Sequence, residues 1–157
     1  MMPRKDTFQD RVLIGYRIET QPGSAEIPAF WEAVMGDERW QRLTDKMADG
    51  GLNYGLCIHP EGMPEGRMDY MIAFDYDGES PVDADMELYT LKAASYRAFA
   101  ASVNNDDEKV PGIKQCWSHV YSEWFPASGL QYDGDKPDFE VYYDNGGVDV
   151  YIPVLER

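Results

Sequence analysis

The chain has 157 residues, 43% of them apolar, and a formal net charge of −15. That length supports one domain with a buried core, and the apolar share excludes a disordered acidic tail. The charge opposes nucleic-acid phosphates and anionic membrane surfaces, so neither is an expected partner, whereas organic cations and basic protein faces are attracted. Cys57 and Cys116 stand in no metal or redox spacing, and no apolar run reaches the ~18 residues of a membrane span. The opening MMPRKD lacks an apolar leader segment, so the expected location is the cytoplasm. Aromatic residues make up 13%, and 11 of them are tyrosine, which suits both strands and pockets.

Residues 1–10 are polar and are expected to form a loose N-terminus. Arg11 to Thr20 reads as a strand closed by the Gln21-Pro22-Gly23 turn signal. Ile27, Phe30, Trp31 and Val34 follow helical spacing, with Ser24 as a candidate cap and Pro28 in the first turn. Gly36-Asp37 interrupts that stripe, and Trp40, Leu43 and Met47 resume it up to Gly50-Gly51. Leu52 to His59 alternates, with Leu52, Tyr54, Leu56 and Ile58 on one face. Met68 to Tyr76 alternates again, with Met68, Tyr70, Ile72, Phe74 and Tyr76 together. An acidic loop covers 77–85, and Met86 to Ala101 is strand-like with a bend near Lys92-Ala93. Pro111 fits the first position of a helix whose face is Ile113, Cys116, Trp117, Val120 and Trp124, and Pro126 is expected to end it. Asp138 to Asp144 and Val148 to Val154 read as strands joined by a two-residue Asn145-Gly146 turn.

The order is βαββ twice, with pseudo-repeats of about 11–77 and 86–157 inside one domain spanning 11–157. Such an α+β arrangement implies an antiparallel sheet with two helices on one face and a groove between the halves. A two-residue turn would pair Glu140 with Tyr151 and place Glu140, Tyr142, Asp149 and Tyr151 on one face. A carboxylate among tyrosine rings is a receptor for an organic cation, and desolvation would suit it to general acid or base work. A half-exposed strand edge with a Glu140–Tyr151 hydrogen bond accounts for the pattern equally.

Trp31, Trp117 and Trp124 on helix faces, and Tyr54 and Tyr70 on strands, are candidates for either core or pocket. His59 and His119 have no ligand-spaced partner, so no metal is expected, and no cofactor motif is present. A Cys57–His59 nucleophile pair yields to a plain strand. The acidic runs DYDGESPVDAD and QYDGDKPDFE misplace the glycine of a calcium loop.

Several segments together resemble the GyrI-like small-molecule-binding domains, also found as effector-binding domains of AraC- and BmrR-type regulators. They are EIPAFWEAV, LNYGLCIHP followed by MDYMIAFDY, SYRAF, WSHVYSEWFPASGLQYDGDKPDFEVYYD and the closing VDVYIPV, over about residues 11–157. The resemblance implies a duplicated βαββ (tandem SHS2-like) fold and an aromatic pocket between the halves. It also implies that Glu140 meets cationic or polar ligand groups, with Tyr151, Tyr142, Trp117, Trp124, Trp31, Tyr54 and Tyr70 as candidate lining residues. No helix-turn-helix segment precedes residue 11, so a stand-alone bacterial, multidrug-type binding module is the expectation. Two further roles follow from the family. One is hydrolysis of reactive cyclopropane-bearing natural products, with Glu140 and Tyr151 as catalytic residues. The other is acidic docking on a basic protein such as DNA gyrase.

Overall fold

The computed structural model describes residues 3–60, 62–101, 106–144 and 146–155. The strands are β1 (Arg4–Phe8), β2 (Arg11–Thr20), β3 (Asn53–Ile58), β4 (Met68–Asp75), β5 (Glu87–Leu91), β6 (Ala94–Ala100), β7 (Gln131–Tyr132), β8 (Asp138–Tyr142) and β9 (Val148–Leu155). The helices are α1 (Glu26–Gly36), α2 (Glu38–Thr44), α3 (Asp106–His119) and α4 (Phe125–Ser128), with a π-helical turn at Val120–Trp124. The strands pair antiparallel in the order β1-β6-β9-β8-β3-β4-β2-β5, and β7 adds to β9. The fold is α+β, a duplicated βαββ. One half contributes β2, β4 and β3, the other β6, β9 and β8, and the halves meet where β3 pairs β8.

The sheet has to curl. β5 and β6 lie six strands apart along the sheet, about 29 Å if it were flat. Only Lys92 and Ala93 join them, a link that reaches about 11 Å at most. The bend expected within Met86–Ala101 is therefore the crossover between the two ends of the sheet. The concave face of the half-barrel is filled by strand residues alone, among them Leu13, Tyr54, Leu56, Met71, Tyr96, Phe139, Val141 and Tyr151. The convex face carries the helices over two separate clusters. Phe30, Val34 and Leu43 of α1 and α2 pack on Ile14, Tyr70, Ile72 and Phe74. Cys116 and Val120 pack on Phe99, Val150 and Ile152. Between the two clusters the sheet is left open at the β3–β8 seam.

Four local expectations change. Arg4–Phe8 is not loose: it forms an edge strand on β6, as a ladder with five registered partners shows. The second-half helix begins at Asp106, so Pro111 lies inside it rather than at its first position. Pro126 does not end the helix. Its missing N–H removes one bond of the ladder. The chain answers with the π-helical turn, in which the Phe125 N–H donates to the Val120 carbonyl, and stops only at Gly129 (φ 73°).

The fourth change is the β8–β9 register. Glu140 pairs with Val150, Phe139 with Tyr151 and Tyr142 with Val148. The Tyr143 N–H donates to the Gly147 carbonyl and the Gly146 N–H to the Tyr143 carbonyl, so the loop is residues 144–146 with Gly146 at φ 86°. Asn145 itself lies outside the described residues. A loop longer by one residue moves the pairing by one, which turns β9 over relative to the expected faces. Val148, Val150 and Ile152 accompany Glu140 and Tyr142 on the convex face, and Asp149 and Tyr151 go to the concave one.

Candidate functional site

The open seam is a cleft of about 1220 Å³ between α1 and α3. Its floor comes from β8 and β3. Alternation along β8 brings Asp138, Glu140 and Tyr142 to the cleft while Phe139 and Val141 enter the concave core. Trp31 and Trp40 stand on the first-half side, and Trp117, Tyr121 and Tyr132 on the second. Trp31 lies 4.7 Å from Tyr142 and 6.3 Å from Trp40, centroid to centroid. Across the floor, Trp117 and Tyr121 lie parallel within 4° at 5.9 Å.

Glu140 is 6% exposed and accepts three hydrogen bonds. Tyr70 Oη donates to its Oε1 at 2.8 Å, Tyr142 Oη to the same oxygen at 2.9 Å, and Trp117 Nε1 to Oε2 at 2.9 Å. Trp31 Nε1 donates to Tyr70 Oη at 2.8 Å, so both walls are tied to one carboxylate. Burial raises the Glu140 pKa above the ordinary carboxylate value, and the three donors oppose that rise. Burial and the adjacent Glu140 charge push the Tyr70 and Tyr142 hydroxyls well above the usual tyrosine value, so both stay donors.

Gly55 makes this crossing possible. It pairs with Glu140, and a Cβ there would lie 2.0 Å from Tyr70 Oη and 2.6 Å from Glu140 Oε1. Only a residue without a side chain lets the two groups meet over β3.

A second carboxylate lies two residues away. Asp138, 5% exposed, also accepts three hydrogen bonds. Its Oδ2 accepts from Tyr121 Oη at 2.6 Å, and its Oδ1 accepts from Tyr132 Oη and His59 Nε2, each at 3.2 Å. The hydrogen bond to Asp138 raises the His59 pKa above its ordinary 6.5, against a smaller opposing effect of burial. Cys57 also lines the floor, where burial first, and then Asp138 and Glu140, lift its thiol well above the usual range. Held as a thiol, it is no nucleophile. Among the described residues, no group of three or more His, Cys, Asp or Glu is placed to hold a metal ion. No helix of the described chain is long and apolar enough to cross a membrane.

The family described as Cass2, integron-associated effector binding protein, matches residues 7–154. The chain belongs to this family. The resemblance to GyrI-like domains therefore stands, now as membership of the Cass2 family. None of the curated proteins matches. Among solved structures, SAV2435 bound to tetraphenylphosphonium is similar at TM-score 0.80 and 23% identity, covering 99% of this chain and 94% of that one. A putative transcription regulation protein from Staphylococcus aureus MU50 follows at TM-score 0.78 and 21% identity, with 99% of each chain covered. The Vibrio cholerae integron cassette protein VCH_CASS2 superposes at 0.71 with 18% identity, over 98% and 96% of the two chains. At these identities the likeness is one of fold.

In this Cass2-family chain the cleft gathers five of the residues singled out from sequence: Glu140, Tyr142, Trp117, Trp31 and Tyr70. Three others lie elsewhere. Tyr151 is on the concave face, where it donates to Asp6 at 3.0 Å and accepts from Arg4 at 3.0 Å, so it is no proton partner for Glu140. The one-residue change of register is the cause. Tyr54 is fully buried on the same face, accepting from Arg11 at 2.6 Å and donating to Asp75 at 3.0 Å. Trp124 packs edge-on against Phe99 at 4.8 Å, because the π-helical turn carries it off the Trp117 stripe and onto the second-half cluster. Asp138, His59, Tyr121, Tyr132 and Gly55 were missed. Asp138 was legible, since it shares strand parity with Glu140. The His59–Asp138 approach spans 79 positions and left no local trace.

Proposed function

We propose that the cleft captures an aromatic organic cation, with Glu140 as its counter-charge and the Trp31, Trp40, Tyr142 and Trp117 rings as its walls. One observation carries this reading. Glu140 is a buried carboxylate whose three partners, two phenols and an indole, are all neutral donors. They orient it and favour its ionised form without cancelling its charge. A buried negative charge with no cation among its described hydrogen-bond partners, set among aromatic rings, attracts a cation by Coulomb force and by the ring quadrupoles. A ligand of this class also needs no complementary hydrogen-bond pattern, which suits a cleft whose walls are mainly aromatic and apolar. The presence of tetraphenylphosphonium on the similarly folded SAV2435 supports the choice of ligand class.

Three of the chain's tryptophans line the cleft, so binding is read by quenching of intrinsic fluorescence. Tetraphenylphosphonium is the probe, and triphenylphosphine oxide is its neutral counterpart. The protein should prefer the cation, and Glu140→Gln should weaken it by roughly 30-fold or more, from the ~2 kcal/mol or more expected for truncating a buried charge pair. The neutral probe should be affected little. A Glu140→Gln protein that keeps its preference for the cation refutes the reading.

A further inference from the structure

The two carboxylates of the floor are built alike and charged differently. Each is at least nine-tenths buried and each accepts three hydrogen bonds. All three donors to Glu140 are neutral. One of the three on Asp138, His59, takes a charge near neutral pH. With His59 protonated, the Asp138 pair is neutral and the floor carries the single charge of Glu140. With His59 neutral or moved aside, the floor carries two negative charges at positions i and i+2 of one strand, about 7 Å apart.

His59 stands at the end of a strand, whereas Tyr121 and Tyr132 are packed against other aromatic rings. It follows the last residue of β3, and its side chain is 37% exposed. Tyr121 is held by its parallel partner Trp117 and by Tyr132 at 6.5 Å. The groups that line the cleft around His59 are Asp138 and Glu140 on β8, Tyr121 on the π-helical turn, Tyr132 on β7 and Cys57 on β3. Among the described residues, Glu32 on α1 and Lys114 on α3 complete the charged groups there, and Lys114 is exposed. Against the buried carboxylates, the imidazole of His59 is thus the cation that a ligand would have to replace.

We propose that Asp138 is a second anionic anchor of the same cleft, covered by His59 as a displaceable counter-ion, and that the cleft thereby selects aromatic dications with charges about 7 Å apart over monocations. The proposal rests on the cation-capture reading above. A second charged group of the ligand takes the place of His59 on Asp138, and the imidazole swings to solvent and gives up its proton. Selectivity for dications consequently grows as the pH rises through the titration of His59, while monocation binding at Glu140 does not follow that group.

The test uses the full chain with two permanently charged probes, so that only the protein titrates. Benzyltrimethylammonium carries one charge, and its para-bis(trimethylammoniomethyl) homologue carries two, set apart by about the strand repeat of 7 Å. The quantity read is the ratio of their affinities at about pH 6 and about pH 8.5. The wild type should favour the dication by about tenfold at the higher pH and clearly less at the lower. Asp138→Asn should bring the ratio to about two at both pH values, the statistical factor for two equal ends. His59→Gln, which leaves Asp138 in place, should hold the ratio high at both. A ratio unaltered by Asp138→Asn, or one in His59→Gln that keeps the wild-type pH dependence, overturns the proposal. The monocation separates the two readings. Its affinity should survive Asp138→Asn and fall in Glu140→Gln, and if it does not depend on Glu140 the cation-capture reading is the one that fails.

Discussion

Gly55→Ala adds one methyl group to the middle of the floor. Its Cβ would sit 2.0 Å from Tyr70 Oη, where ordinary contact begins near 3.4 Å, so the hydroxyl has to retreat by more than 1 Å. Tyr70 is 1% exposed and packs among the α1 side chains, so the ring has little room to withdraw. Overpacking of this kind costs about 1–3 kcal/mol. The retreat also breaks the 2.8 Å bond to Glu140, and losing a hydrogen bond to a charged group adds about 1.5–3 kcal/mol. Replacing a strand glycine by alanine returns about 0.5–1 kcal/mol of chain entropy. The net loss should be about 2–5 kcal/mol, a large part of a domain's stability but not all of it. Urea unfolding followed by tryptophan fluorescence measures that loss. Titration of the folded fraction with tetraphenylphosphonium should show weaker binding, because Glu140 loses a donor and becomes harder to ionise. A variant as stable as the wild type, with undiminished affinity, would mean that Tyr70 and Glu140 do not meet across β3 and that the site is built differently.

Tyr151→Phe should leave cation affinity unchanged and lower stability by about 1 kcal/mol, through loss of the bonds to Asp6 and Arg4 on the concave face; a binding defect would refute the β8–β9 register. Trp117→Phe keeps a ring in the wall but removes the N–H that favours ionised Glu140, so the pH below which cation binding is lost should move upward and affinity at neutral pH should fall by about tenfold. Glu140→Gln should be at least as stable as the wild type at neutral pH. Folding raises the Glu140 pKa, so the unfolded chain releases this proton first. Wild-type stability from this group is therefore fully present below about pH 4.5 and declines as the pH rises toward the raised native value. Denaturant midpoints measured across that interval should show this decline in the wild type and lack it in the variant. In the native protein His59 should titrate above 6.5 by NMR, and below it in Asp138→Asn, because the hydrogen bond and charge that raise its pKa are gone and the opposing effect of burial remains.

Periodicity alone located β2, β3, β4, β8, β9 and the first helix. Each buries one face against the core, and a half-buried element writes its period into the chain. The same signal put Glu140 and Tyr142 on a face apart from Phe139 and Val141. It did not reach β1, whose residues Arg4, Lys5 and Asp6 carry no apolar alternation and are ordered by pairing with β6 about ninety positions later in the chain. It also left the β9 face undecided. Val148, Val150 and Ile152 share a parity whichever way the hairpin closes, and a single added loop residue determines whether Glu140 meets Tyr151 or Val150. The chemistry of the cleft belongs almost entirely to tertiary structure. Glu140 acquires its donors from α1's neighbour Tyr70, from α3 and from its own strand, and Asp138 acquires His59 from the other half of the fold. A carboxylate's identity is fixed by sequence. Its charge at a given pH is fixed by burial and by which donors surround it, and those come together only when the two halves meet along β3 and β8.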